Sequence, residues 1–202
     1  MGIETGKREF DVIVWGATGF TGQLVVEYLA ETYGASPAVI GLVLGLGAAA
    51  YIPGTFVARR IPEHQVAPLL AVLGVALAAA ILAWGVPRSG LAVTGATFAV
   101  LCFLGGARTF LGSARGLAVA PGYHVETMAL RAAAAQFGVV AGAAIAGLAL
   151  AVGGYALLAV TLAALSTASA APHLRVVKSA RRSRAATPRP ARPAGAAPAR
   201  AR

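Results

Sequence analysis

Two kinds of residue in this chain have the type and spacing to do chemistry: a glycine fingerprint near the start, and isolated polar groups in an uncharged body. Gly16, Gly19 and Gly22 stand in VIVWGATGFTG, spaced GxxGxxG directly after a short apolar, strand-like run. A strand that enters such a turn and continues as a helix lets backbone N–H groups approach a pyrophosphate, so these glycines would hold a dinucleotide such as NAD(P). That chemistry needs a second parallel strand with an acid or Arg near its end, about 20 residues on, to take the ribose. Residues 36–50 are instead an uncharged apolar run. A strand and helix of about 25 residues also fall short of the roughly 40 that usually fold without staples. No cofactor is therefore expected, and NAD(P) belongs only to the reading in which the fingerprint acts.

Arg108 ends the uncharged run 91–107, and Gln136 lies in another apolar run. Charges and amides in such settings are costly and often functional. Arg108 could snorkel to a surface or line a cavity, and Gln136 could bond across helices or face a bundle interior. No Asp or Glu lies between Glu63 and Glu126, which argues against a carboxylate proton relay. Cys102 is the only cysteine, so an intramolecular disulfide and a cysteine-based zinc cluster are excluded and the thiol reads as an inert packing group. No metal ligand set is expected.

The elements that must position these groups are apolar. Of 202 residues 58% are hydrophobic and 12% charged, with mean hydropathy +0.75; soluble domains carry roughly 25% charged residues. Runs at 37–57, 66–86, 91–107, 132–152 and 154–171 meet or approach the about 20 residues that cross a bilayer as a helix. The breaks between them read ARRIPEHQ, VPRSG, RTFLGSARGLAVAPGYHVETMALR and the pair Gly153–Gly154. A soluble bundle would have nothing polar to cover five such helices. The expected partner is the lipid bilayer, and the expected location a multi-pass position in the plasma membrane.

Lys and Arg in short loops set orientation. Arg59, Arg60, Arg108, Arg115, Arg131 and the basic tail mark one side, which places the C-terminus in the cytoplasm. The parity then asks for a crossing before residue 37. Residues 12–30, whose one charge is Glu27, can supply it, and the count becomes about six transmembrane helices in an all-α membrane protein. The same stretch can instead be a short βα Rossmann remnant. The N-terminus is a poor signal peptide, because its apolar run VIVW is short, flanked by Glu9 and Asp11, and interrupted by GATGFTG. The chain divides into 1–35 (Rossmann-like βα fragment or first crossing), 36–172 (transmembrane helices) and 173–202, a Pro-, Ala- and Arg-rich tail expected to be disordered. The formal charge of +10 sits mostly in that tail, since nine of 17 Lys and Arg follow Pro172. The tail suits topology setting or anionic lipid headgroups; no aromatic platform accompanies it, so a nucleic-acid partner is not expected. Small residues recur at four-residue spacing at Gly41 and Gly45, at Gly112 and Gly116, and from Ala134 through Gly138 and Gly142 to Ala146, a pattern by which membrane helices pack closely.

Three stretches carry a family likeness: YGASPAVIGLVLGLG, GTFVARRI and ETMALRAAAAQFGVVAGAAIAGLALAVGGYALL. Together, over about residues 28–172, they resemble the C-terminal half of a drug-efflux-like transporter of the major facilitator superfamily. The resemblance implies half of a two-part bundle, with small-molecule efflux by alternating access once a second half or a second copy completes it. It makes Gly54, Arg59 and Arg60 gating candidates, although the acid position of the loop motif is held by Ala58, and Arg108 and Gln136 join them as transport candidates through their apolar setting. Residues 8–34 resemble the start of a saccharopine dehydrogenase-like reductase, which implies as alternatives a membrane-tethered NAD(P)-dependent remnant or a non-functional fusion product. Neither resemblance brings a complete active site, and catalysis is not the first expectation.

Overall fold

The computed structural model describes residues 20–85, 90–119 and 122–175, and every regular element among them is helical: α1 (Phe20–Tyr33), α2 (Pro37–Ala58), α3 (Glu63–Gly85), α4 (Leu91–Val119) and α5 (His124–Ala168). Four helical stretches are long and apolar enough to cross a membrane: Pro37–Ala58, Glu63–Gly85, Leu91–Ala118 and His124–Arg175. At 1.5 Å per residue, the 22 residues of α2 extend about 33 Å, close to the roughly 30 Å of a hydrocarbon core.

The fourth stretch is divided. Gly154 adopts φ 64° and ψ −161°, a conformation open essentially to glycine alone, and the chain reverses there. Before the break, Arg131 donates to the Thr109 carbonyl in the second half of α4. Tyr155, just after it, reaches Glu31 at the opposite end of the bundle, and Ser169 has returned to Arg108. The Gly153–Gly154 break expected from sequence is thus a helical hairpin. With the two arms of the hairpin counted separately, the described residues hold five long apolar helical arms, one fewer than the six crossings suggested by loop charge. Residues 12–19 of the supposed first crossing, and the strand of the βα alternative, lie outside the described residues. Only α1 is seen from that region, and its 14 residues span about 21 Å.

The turn into α2 follows from its residues. Gly34, at φ 60°, ends α1 with its N–H on the Ala30 carbonyl at 2.9 Å, a left-handed helix stop. Ser36 is extended and Pro37 pre-sets the first turn of α2. Farther along, α4 overruns its expected end at residue 107 by 12 residues, through RTFLGSARGLAV. Phe110, Leu111, Ala114 and Ala118 continue one apolar face there, and the first proline in the sequence after Leu91 is that of APGY, just beyond the helix.

Packing is tightest between α2 and α4, which run parallel. A Cβ on Gly54 would strike the carbonyl of Phe103, and one on Gly106 the carbonyl of Tyr51. Gly47 takes Phe98 and Cys102 into its missing side chain, which gives Cys102 the packing role expected of it. On the other side α3 meets the second half of α5 in antiparallel fashion, through Gly74 against Ala170 and Gly85 against Ala159. Small residues therefore do bring backbones together, as the sequence suggests, but at other positions. Gly41, Gly45, Gly112, Gly138 and Gly142 have open space where a Cβ would be, and Gly116 meets only Thr127.

Two buried clusters lie at opposite ends. Ala58, Val66, Leu70, Leu73, Ala107 and Leu111 form one; Val25, Tyr28, Leu29, Ile40 and Val43 form the other. Outside them the surface is apolar. Leu42, Leu148 and Phe137 are 72%, 68% and 75% exposed, and residues 129–140 are exposed all round their helix. A surface of that kind belongs in lipid or against other helices rather than in water.

Candidate functional site

Polar side chains gather at the two ends of the bundle, and the ends differ in sign. At one end stand Arg59 and Arg60 in the α2–α3 turn, Arg108 and Arg115 on α4, Arg131 on α5, and Arg175 beyond it. These are all the arginines among the described residues. The other end carries Glu27 and Glu31 on α1.

At the arginine end, Arg108 is half-buried and its Nη2 donates to Ser169 Oγ at 2.5 Å. Ser169 Oγ donates in turn to the Ser166 carbonyl, and Ser166 Oγ donates to the Gly74 carbonyl at 2.9 Å. One chain of hydrogen bonds thus ties α4, the end of α5 and the middle of α3. The guanidinium keeps donors to spare, and Arg115, two turns on, shares its helix face. Beside them a cleft of about 380 Å³ opens between α2, α3 and α4, with Arg59, Glu63 and Arg115 at its rim and Ile61, Val66 and Phe110 as its walls.

The candidates separate on this frame. Arg59 and Arg115 meet at the cleft; Arg60 is exposed in the same turn, and Arg59 lies 5.6 Å over the Phe56 ring. Arg108 joins a hydrogen-bond network rather than standing free. Gly54 lies inside α2 and is buried against Phe103, so its position is one of backbone packing and not of a loop. Pro53 just before it removes an N–H from the helix ladder. Gln136 is exposed, and its amide has no partner among the described residues. Gly16 and Gly19 lie outside the described residues; Gly22 is in the first turn of α1.

At the opposite end the structure brings together residues that sequence reasoning passed over. Tyr28 lies 4.5 Å from Trp84 and 4.9 Å from Tyr155, ring centre to ring centre, with Tyr33 6.0 Å away on its edge. Tyr155 Oη donates to Glu31 at 3.0 Å, Tyr28 Oη to the Trp84 carbonyl at 3.4 Å, and Tyr33 shares a 2.8 Å hydrogen bond with Thr94. Trp84 Nε1 is buried without an acceptor among the described residues. The available signal was that Tyr33, Trp84 and Tyr155 all sit at helix ends, where membrane interfaces collect aromatic rings. No family model, curated protein or solved structure matches the chain.

Proposed function

We propose that this chain is an integral membrane protein of the plasma membrane, with its arginine end and C-terminus in the cytoplasm, acting as one half of a small-molecule transporter of the major facilitator kind. The observation that carries the proposal is the first half of α5. Its residues 129–140 are apolar apart from Arg131 and Gln136 and exposed on every face. Such a helix, with small residues along one side, suits contact with a second bundle better than the edge of a finished one. The charge asymmetry between the two ends supports the orientation, since arginines are retained on the cytoplasmic side.

In this reading alternating access needs two bundles facing one another, and the Arg108–Ser169–Ser166–Gly74 chain is the joint that holds α3, α4 and α5 as one rigid half. Efflux of a fluorescent lipophilic dye from proteoliposomes, at rising protein density, tests it. The reading expects flux to rise with about the square of the density, because two copies must meet. Absence of flux at every density, with the purified chain monomeric and no helical partner recovered after crosslinking in cells, would overturn it.

A further inference from the structure

Two arginines at the basic end are half-buried, Arg108 and Arg115, and they differ in what they meet. Arg108 donates to Ser169, as Arg131 nearby donates to the Thr109 carbonyl. Arg115 lines the cleft of about 380 Å³ between α2, α3 and α4, yet its guanidinium has no hydrogen bond or ion pair among the described residues. Arg59 lines the same cleft from just past the end of α2, and Glu63 lines it as well without pairing to either arginine. Five N–H donors partly withdrawn from water are costly to leave unmet.

The cleft is graded in polarity. Ala58, Val66 and Leu111 of the buried cluster line it, with Ile61 and Phe110 beside them. Arg115 stands one turn beyond Leu111 on the same face of α4, and that face exists because α4 runs on past residue 107. An apolar lining therefore leads to a rim of two guanidiniums and one carboxylate. Helix ends of both polarities meet there, since α2 and α4 finish where α3 and α5 begin, so the side chains set the sign. Among the described residues at that end, six arginines face two acids, Glu63 and Glu126.

We infer that this cleft binds an anionic phospholipid, with the phosphate on Arg115 and Arg59 and the first carbons beyond the head group against Ile61, Phe110 and Leu111. Planar guanidinium forks match phosphate oxygens, and basic pockets between membrane helices take anionic head groups. A free phosphate would meet the rim and leave the apolar lining unused; a lipid without net charge would use the lining and leave Arg115 unmet. The volume lies near the lower edge of the roughly 300–1,000 Å³ of small-molecule sites, room for a head group rather than a whole lipid. The site is distinct from the basic tail, and it stands whether or not the bundle transports.

Native mass spectrometry of the full chain, released from a neutral detergent, tests the inference by titration with dioleoyl phosphatidylglycerol, dioleoyl phosphatidylcholine and glycerol phosphate. Ammonium acetate at about 0.5 M screens the exposed charges of the tail to within about 4 Å. Phosphatidylglycerol is expected to saturate as a single bound lipid, with phosphatidylcholine and glycerol phosphate each at least about tenfold weaker. Arg115→Gln is expected to weaken phosphatidylglycerol about tenfold, while Arg175→Gln, an exposed arginine at the same end that does not line the cleft, stays within about twofold. Equal binding of the two lipids, or glycerol phosphate binding as well as phosphatidylglycerol, would overturn it. Those comparisons use the unaltered chain and so do not depend on any variant folding. Equal losses in Arg115→Gln and Arg175→Gln, or none in Arg115→Gln, would place the lipid on diffuse charge or elsewhere and overturn it equally.

Discussion

Arg108 on α4 and Ser169 at the end of α5 are 61 residues apart in sequence and joined by a 2.5 Å hydrogen bond. The pair closes the hairpin made by α5 against the rest of the bundle. Removing either partner leaves the other half-buried and short of a bond. Arg108→Ala and Ser169→Ala are each expected to destabilise the bundle by about 1.5–3 kcal/mol, the range for hydrogen bonds to charged groups. In a double-mutant cycle followed by steric trapping in bicelles, the two losses should be strongly non-additive. Additive losses would mean that the bond carries no coupling.

The α2–α4 contact yields a paired comparison within one helix. Gly54→Ala places a methyl group against the Phe103 carbonyl, and backbone cannot retreat cheaply. Overpacking of this kind costs about 1–3 kcal/mol. Gly45→Ala, nine residues earlier, enters open space and is expected to be neutral or to stabilise by up to about 1 kcal/mol through helix propensity. Unfolding by SDS titration reads both.

Gly154 carries the reversal of α5. An alanine there would have to hold φ 64° with ψ near −161°, at a cost of about 1–3 kcal/mol. Gly142→Ala, with nothing near its added methyl, serves as the control and is expected to be silent in the monomer. If Gly154→Ala is silent as well, the hairpin does not turn at that residue.

How much of this could be read from the residues depends on the kind of signal. The start of α2 at Pro37 and the break at Gly154 were legible, because proline and glycine act locally on φ and ψ. The extension of α4 to Val119 was hidden, because Arg108, Arg115, Gly112 and Gly116 look like loop residues although Phe110, Leu111, Ala114 and Ala118 keep helical spacing. Four-residue glycine spacing correctly suggested close helix packing. It did not say which glycines, because the contact at Gly54 depends on where Phe103 falls on another helix. The tyrosine end was missed for the same reason. Tyr28, Trp84 and Tyr155 are separated by 56 and more residues, and only the topology unites them. The acidic and basic ends, by contrast, follow directly from alternation of passes and the positions of the arginines.

The central claim is that α2 crosses a bilayer with the Arg59–Arg60 turn on the cytoplasmic side. Single cysteines placed by Ser36→Cys and Pro62→Cys, in a Cys102→Ala background, flank that helix at its two ends. With a membrane-impermeant maleimide on intact cells, the cysteine at position 36 should label and the one at position 62 should label only after permeabilisation. Equal labelling of both positions in intact cells, or recovery of the chain in the soluble fraction, would contradict the account.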